Sequence, residues 1–392
     1  MMMQTQQREF YWDFVRAVYL LLGVPFHVAV AYSTHFDWSV PSPERSPVLT
    51  FIADMLHTAR MPGFFVIAGY FSFMILSRKG VGVFFQERMV RLGVPLITAT
   101  LTILPLQMVI QTYFEVSNGT LDADAFGSTL IARLTHFDEP WISHLWFLYI
   151  LIGLTVGISI LARILQTGRF ETIYRNIAEF ALRNGAMSIL VVAFVCTQLA
   201  VALPRLEALG GSKLMALLSY LQYTPYFLIG GAIYLSPVAK GRYLGVGVLA
   251  GISGLVLAYV ATWEGQTVWS RTVFLVSGFF AALLVTGFVA NMAQRHFNRA
   301  NRTIRNIADA SFSIYLFHHP IIYVLVGLFA KVDLPPVLEF VIITPVTAVL
   351  SYLLHKAVAA NRITALLFNG VRAKKAAPQL ETGQREKETV AA

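Results

Sequence analysis

The sequence predicts an all-α, polytopic membrane protein with about ten transmembrane helices around a central cavity. Hydrophobic residues make up 56% of the 392 residues and charged residues only 13%, whereas about a quarter of a typical soluble domain is charged. The apolar residues are gathered into long segments, as bilayer-spanning helices require. The basic residues lie mostly in alternate connections between those segments, which is typical of a membrane protein with a fixed orientation.

Ten apolar segments reach the length that a helix needs to cross a bilayer, about 20 residues. Their approximate boundaries are 13–33, 51–77, 89–110, 143–165, 186–203, 216–235, 242–262, 270–291, 310–330 and 336–356. The first segment loosely imitates a secretory signal peptide, but Asp13, Arg16, Pro25 and His27 interrupt its apolar run. We therefore expect it to be retained as the first transmembrane helix.

The positions of the Lys and Arg residues predict that both ends of the chain are cytoplasmic. With the N-terminus inside, 22 of these residues fall in cytoplasmic segments and 6 in outer connections, an asymmetry that follows the positive-inside rule. Residues 1–370 are then predicted to form one ten-span membrane domain surrounded by lipid. The polar segment 371–392 has little to bury, so we predict a disordered cytoplasmic tail.

Charge and cysteine content argue against two classes of function. The formal net charge is +9, but the basic residues are distributed as membrane topology requires, so a nucleic-acid partner is not expected. Cys196 is the single cysteine and lies in an apolar segment, which excludes an internal disulfide and a cysteine-based metal site. The histidines do not predict a metal site either, because no pair has i,i+4 spacing with a carboxylate partner.

A cation and an imidazole interrupt the first predicted helix. Arg16 and His27 are 11 positions apart, which at 100° per residue is about 20° more than three turns, so both side chains share one helix face. They are separated by about 16 Å along that face. Because such residues are costly in lipid, they are expected to face a protein interior or a wet cavity. The layout suits a long anionic ligand, held at one end by Arg16 and delivered at the other to a base.

Other polar residues lie near this face or in later segments. Asp13 is one helical turn before Arg16 and can hold its guanidinium, although a plain interfacial ion pair is an equal alternative. Arg60, at the outer edge of the second helix, is either a cation facing the site or a snorkelling anchor. His144 opens the fourth segment. In the ninth segment, spacings of four and three place one stripe of residues together: Ser311, Tyr315 and His318 or His319.

These residues, with further motifs, resemble the acyltransferase-3 family of integral membrane acyltransferases. The first helix of that family carries an Asp, then an Arg, then ten residues and a His, matched here by Asp13, Arg16 and His27. FFVIAGY at 64–70 resembles the second-helix motif FFxxSGY/F, with Ala68 in place of the usual serine. Three more segments match in order, and the resemblance covers about residues 8–370: RMVRLGVP at 88–95, HLWFL at 144–148 and SFSIYLFHHP at 311–320.

The resemblance implies an acyl-coenzyme A donor, expected to be succinyl-coenzyme A, that arrives from the cytoplasm. It also implies a glucan acceptor in the periplasm and therefore a location in a bacterial inner membrane. The residues themselves add a physical interpretation, in which the basic inner loops with Arg88 and Arg91 attract the donor phosphates and Arg16 neutralises part of their charge. In the same interpretation, His27 is the general base that takes the proton from a sugar hydroxyl.

The remaining candidates have supporting roles. His318, His144 or Tyr315 would stabilise the oxyanion or orient His27, and the predicted substrate contacts also include Asp13, Arg60, Ser311 and His319. Two other functions stay open at this point. One is a proton-coupled transporter of a small anionic or sugar substrate, in which intramembrane Arg and His act as gate and relay. The other is a structural partner of a glucan synthase.

Overall fold

The computed structural model describes residues 9–137, 139–209, 212–263, 265 and 267–371. All regular elements within these residues are helices, so the predicted all-α class is confirmed. The predicted disordered tail, apart from Val371, lies outside the described residues.

Fifteen α-helices are found in the described part of the chain. The first seven are α1 (Tyr11–Leu21), α2 (Gly23–Ala31), α3 (Pro47–Arg88), α4 (Val94–Ser117), α5 (Phe126–Thr135), α6 (Trp146–Ile164) and α7 (Thr167–Arg183). The other eight are α8 (Gly185–Leu209), α9 (Ser212–Leu235), α10 (Pro237–Leu244), α11 (Val248–Val260), α12 (Val268–Phe297), α13 (Arg302–Phe329), α14 (Pro336–Ala360) and α15 (Arg362–Asn369). A π-helix at Met89–Gly93 joins α3 to α4.

Within the described residues, seven helical stretches are long and apolar enough to cross a membrane, or eight if the bent pair α10 and α11 forms one span. One stretch runs for 71 residues, Pro47–Ser117, which at about 1.5 Å per residue is about three and a half times the hydrocarbon thickness of a bilayer. It contains two predicted segments, 51–77 and 89–110, with a break at Gly80 (φ +77°) and the π-helix between them. The polytopic fold is thus confirmed, and ten is an approximate count of its spans.

The first transmembrane segment is a helix interrupted at one residue. α1 ends at Leu21 and α2 begins at Gly23. Pro25 explains the break. A proline has no amide hydrogen, so the carbonyl four residues before it, that of Leu21, receives no helical hydrogen bond from it. A backbone hydrogen bond from Leu22 to Val18 (2.9 Å) keeps the two parts continuous. Helical geometry therefore extends through the whole first span and carries both Arg16 and His27.

A hydrogen-bonded carboxylate fixes the start of α1. The Glu9 carboxylate accepts hydrogen bonds from Tyr70 (2.6 Å), Trp12 (3.3 Å) and Lys240. Burial raises the pKa of this carboxyl, but the hydrogen bonds and the charge of Lys240 outweigh that effect and leave the pKa below its usual value. Glu9 thereby ties the beginning of the first span to α3 and α10.

Glycine residues let α3 and α9 approach until their backbones touch. A Cβ atom on Gly230 would lie 1.9 Å from the carbonyl oxygen of Val66, and a Cβ atom on Gly69 would lie 1.9 Å from that of Phe227. Small residues serve this purpose at many membrane-helix interfaces, where close packing replaces the hydrophobic effect as the source of stability. The contact holds the segment of α3 that faces α1.

Gly230→Ala is expected to destabilise the protein, because its methyl group would meet a backbone oxygen that cannot rotate away. Overpacking of this kind costs about 1–3 kcal/mol or more. Gly157 on α6 is the matched control, since a Cβ atom there meets nothing within 4 Å. Gly157→Ala should leave stability unchanged or raise it by up to about 1 kcal/mol. Thermal unfolding in detergent measures both variants, and equal stability would contradict the close α3–α9 contact.

Candidate active site

A basic cavity opens at the end of the bundle where α1 begins and α15 ends. Its volume is about 610 Å³, within the range of small-molecule and cofactor sites. Three cations line this basic cavity: Arg16 from α1, and Arg88 and Arg91 from the junction of α3 and α4. The rest of the lining is mostly apolar, with Ser311 from α13 among the polar exceptions.

Two arginines of the basic cavity are held by neutral groups. Arg88 donates to the Ser72 hydroxyl (2.6 Å) and Arg91 to the backbone carbonyl of Asn369 (2.9 Å). Within the described residues neither has a salt-bridge partner. Their positive charge is therefore available to an anionic ligand, and charge-assisted hydrogen bonds to phosphate oxygens suit guanidinium groups well.

Arg16 is oriented by its own helix and by α13. Its guanidinium lies 3.8 Å from the Asp13 carboxylate and donates to the Ala308 carbonyl (3.3 Å). Ser311 donates to the same carbonyl (2.9 Å). Asp13 thus neighbours Arg16 as its spacing predicts, and Ser311 lies next to it in the cavity wall.

Two aromatic rings close the inner end of the basic cavity. Phe64 and Phe147 both line it, and their ring centroids lie 4.9 Å apart in an edge-to-face arrangement. On its far side, the Phe147 ring lies 4.4 Å from the ring of Tyr315. We call Phe64 and Phe147 the aromatic wall, because they separate the basic cavity from the polar groups beyond.

Beyond the aromatic wall, four histidines from α2, the turn before α6, and α13 come together. His144 stacks on His319 with ring centroids 4.3 Å apart. His27 lies 4.7 Å from His319 and 5.2 Å from His318. We refer to these four residues as the histidine cluster. Within the described residues, no group of three or more His, Cys, Asp or Glu is arranged to hold a metal ion.

His144 is held at both ring nitrogens. Its Nε2 donates to the Leu316 carbonyl (3.3 Å), and its Nδ1 accepts from the Gln107 amide (3.4 Å). The Leu316 carbonyl is free because Pro320, four residues later, has no amide hydrogen to offer it. The Tyr315 hydroxyl donates to the backbone carbonyl of His144. These contacts suit His144 and Tyr315 to positioning the cluster.

His318 has one nitrogen fixed and one unpartnered. Nδ1 donates to the carbonyls of Tyr315 (2.6 Å) and Ile314 (3.2 Å), one turn back on α13. In the neutral ring this leaves the lone pair on Nε2. Nε2 is buried and has no hydrogen-bond partner among the described residues. Buried polar atoms are nearly always paired, so this one points to a partner that a ligand would bring.

His27 is the most accessible member of the cluster. It is partly exposed, whereas His144, His318 and His319 are 5%, 1% and 4% exposed. The ring of Trp38, in the connection between α2 and α3, lies 5.3 Å from that of His27 and 4.5 Å from that of His319. Trp38 therefore packs against His27 and His319, and His27 keeps a partly exposed surface.

A buried cation adjoins the histidine cluster. Arg60 is only 7% exposed, and its guanidinium carbon lies 4.3 Å from the centre of the Phe26 ring. Its Nε has no hydrogen-bond partner in the described part of the chain. A Cβ atom built on Gly23 would lie 3.6 Å from Arg60 Nη1 and 3.8 Å from His318 Nε2. The depth of Arg60 argues against the anchor alternative, because a snorkelling side chain places its charge in water.

The candidates chosen from the sequence fall into two groups in the structure. The basic cavity holds Arg16, Arg88, Arg91 and Ser311, with Asp13 beside Arg16. The region beyond the aromatic wall holds His27, His144, His318, His319, Tyr315 and Arg60. Sequence reasoning missed three neighbours: Gly23, Trp38 and Gln107. Two of them have a signal in the sequence that could have marked them as site residues: Gln107 is a polar residue in an apolar segment, and Gly23 shares the helix face of Arg16 and His27. Trp38 has no such signal.

Comparison with known families identifies the class. A family model described as an acyltransferase domain, that of the acyltransferase-3 family, matches residues 9–356. The chain belongs to this family and is a multi-pass membrane acyltransferase. It is similar to proteins named glucans biosynthesis protein C from Salmonella heidelberg (strain SL476), Salmonella typhi and Salmonella typhimurium. Identity to each is 30% over 331 residues, which is 80% of this chain and 82% of each relative. No solved structure matches the chain.

Pro320→Ala is expected to lower acyl transfer without lowering stability. Alanine restores an amide hydrogen that competes with His144 for the Leu316 carbonyl, and a misplacement of about 1 Å near the chemistry costs on the order of 10²-fold in rate. Alanine is also the better helix former by about 3 kcal/mol. The control is Pro345→Ala on α14, at an exposed position. Unchanged turnover of an acyl-coenzyme A donor by Pro320→Ala would contradict the role given to this carbonyl.

Proposed function

We propose that this protein transfers a short acyl group, succinyl, from cytoplasmic acyl-coenzyme A to hydroxyl groups of periplasmic glucans. One observation carries the proposal: the basic cavity and the histidine cluster lie along one face of the first span, separated by the aromatic wall. A group-transfer enzyme with its two substrates on opposite sides of a membrane needs such an arrangement. The distance from Arg16 to His27, about 16 Å along a helix, suits the thin, extended arm of coenzyme A.

The donor enters from the end that holds the basic cavity. Its phosphates pair with Arg16, Arg88 and Arg91, because these guanidinium groups supply several N–H donors and positive charge in a partly desolvated space. The charge asymmetry of the connections supports a cytoplasmic position for this end. Both termini then lie on the cytoplasmic side of the bacterial inner membrane. The arm then passes the aromatic wall, whose rings must turn aside to admit it.

The chemical step is acyl transfer from sulfur to oxygen. His27 takes the proton of a sugar hydroxyl, and the hydroxyl oxygen forms a bond to the thioester carbonyl carbon. The carbon–sulfur bond then breaks, and the departing thiolate takes the proton from His27. The products are an O-acyl ester of the glucan and free coenzyme A. No net proton, electron or water is consumed.

His27 is the proposed base because it is the least buried member of the histidine cluster. The other three cluster members are almost completely buried, and both nitrogens of His144 are already engaged. His144 and Tyr315 hold the cluster in place, while His318 and His319 pack against the ring of His27. Support for a glucan as acceptor comes from the name of the relatives, and Trp38 offers an aromatic surface of the kind that sugars contact.

His27→Ala is expected to lower acyl transfer by about 10²–10⁴-fold, the usual contribution of a general base. The assay combines the purified protein, succinyl-coenzyme A and unsubstituted periplasmic glucans, and mass spectrometry counts succinyl groups on the product. His35→Ala is the control, since His35 is exposed and pairs with Asp54 outside the cluster (3.0 Å). A proton-coupled transporter would leave no covalent product in either case.

Near-normal transfer by His27→Ala, with a monodisperse protein, would move the base elsewhere. His318 is then the next candidate, because its Nε2 is unpartnered. His318→Ala should in that case show the larger loss.

Arg16→Ala is expected to weaken donor binding rather than the chemical step. Hydrogen bonds to charged groups contribute about 1.5–3 kcal/mol, so KM for the donor should rise on the order of 10- to 100-fold while kcat changes little. Arg163→Ala, at an exposed position of α6 outside the basic cavity, is the control. A fall in kcat at constant KM would show that Arg16 acts in the transition state instead.

A further inference from the structure

A notch lies between Arg60 and His318 because residue 23 has no side chain. We infer that this notch binds the free carboxylate of a dicarboxylic acyl group and makes the enzyme selective for such donors. The inference rests on the proposed function and deepens it, since it assigns the choice of acyl group to Arg60 and Gly23.

The first observation is an uncompensated buried charge. A guanidinium stays protonated in proteins, and burying a charge without a counter-charge is strongly unfavourable. Arg60 is 7% exposed, and within the described residues it forms no salt bridge and leaves Nε unpaired. Contact with the Phe26 ring stabilises the cation but supplies neither a counter-charge nor an acceptor for Nε. A ligand carboxylate would supply both.

The second observation is the space itself. A methyl group at Gly23 would be in ordinary van der Waals contact with Arg60 Nη1 (3.6 Å) and His318 Nε2 (3.8 Å). The notch is thus bounded by two polar atoms, one of which is a buried nitrogen without a partner. A carboxylate that enters accepts charge-assisted hydrogen bonds from Arg60. His318 bounds the other side of the notch, and its Nε2, which carries the lone pair in the neutral ring, supplies no donor.

The third observation is the position of the notch on the donor path. Gly23 follows Arg16 by seven residues and precedes His27 by four, so all three lie on one face of the first span. The notch is therefore about one helical turn, roughly 6 Å, before the proposed base. A thioester carbonyl near His27 leaves the distal end of a short acyl chain within reach of Arg60. An acetyl group has no distal carboxylate, so it gains nothing from this contact.

The test compares two donors and two variants, using the full-length protein in detergent. Binding of succinyl-coenzyme A and acetyl-coenzyme A is measured by titration calorimetry, and transfer to unsubstituted periplasmic glucans by mass spectrometry. Arg60→Gln removes the cation, and Gly23→Ala fills the notch. The controls are Arg45→Gln, which removes an exposed cation bound to the Ser33 carbonyl, and Gly157→Ala.

Wild type should bind and transfer succinyl in preference to acetyl. Arg60→Gln should lose on the order of 10- to 100-fold in kcat/KM for succinyl, the range for a hydrogen-bonded charge, and less than about threefold for acetyl. Gly23→Ala should show the same selective loss, because its methyl group occupies the space of the carboxylate. Both controls should keep the preference.

Equal losses for both donors in Arg60→Gln, or full succinyl transfer by Gly23→Ala, would overturn the inference. A wild-type protein that transfers acetyl but not succinyl would also overturn the inference, but it would leave the acyltransferase function intact. A selective binding loss without any transfer to glucan would support the notch and refute the proposed acceptor. If Arg60→Gln does not give a monodisperse protein, Gly23→Ala decides, because its new methyl group meets no atom outside its own helix closer than 3.6 Å.

Discussion

Inside a bilayer, a backbone carbonyl without an amide partner must find another donor in the protein, and this constraint organises the site. Pro320 removes one amide hydrogen from α13, and the freed Leu316 carbonyl accepts from His144 instead. His144 then stacks on His319, which in turn contacts His27. The placement of His144 against His319 is thus a consequence of one missing backbone hydrogen bond. Pro25 acts similarly in the first span, where the break at Leu22 places Gly23 at the start of a new helix.

Two kinds of electrostatic environment follow along the first span. In the basic cavity Arg88 and Arg91 are partly exposed and donate to neutral groups, so a phosphate-rich ligand would supply the missing negative charge at a small desolvation cost. Around Arg60 the surroundings are buried, and within the described residues no carboxylate pairs with its charge. In the proposed function, arginine would support donor affinity in the basic cavity and donor selectivity at Arg60.

Local patterns in the sequence predict the span positions, the common face of Arg16 and His27, and the motif that holds His318 and His319. Each depends on residues close together in the chain, where helical geometry fixes the relation. Helical geometry does not predict contacts between segments that are distant in the chain. Gln107 meets His144 and Trp38 meets His319 only after helix packing, and the Gly69–Gly230 approach depends on the shapes of two helices. Arg60 stayed ambiguous in the sequence because its burial is set by α2 and α13.

The aromatic wall has a further consequence for the cell. In the inner-membrane location proposed above, a water-filled path through this protein would discharge the proton gradient across that membrane. Phe64 and Phe147 place two apolar rings across the route between the basic cavity and the histidines, and a chain of water molecules cannot cross such a barrier easily. An acyl arm that displaces the rings also fills the gap that it makes. In the proposed transfer, the aromatic wall would therefore act as a barrier to water and protons that opens only around the acyl arm.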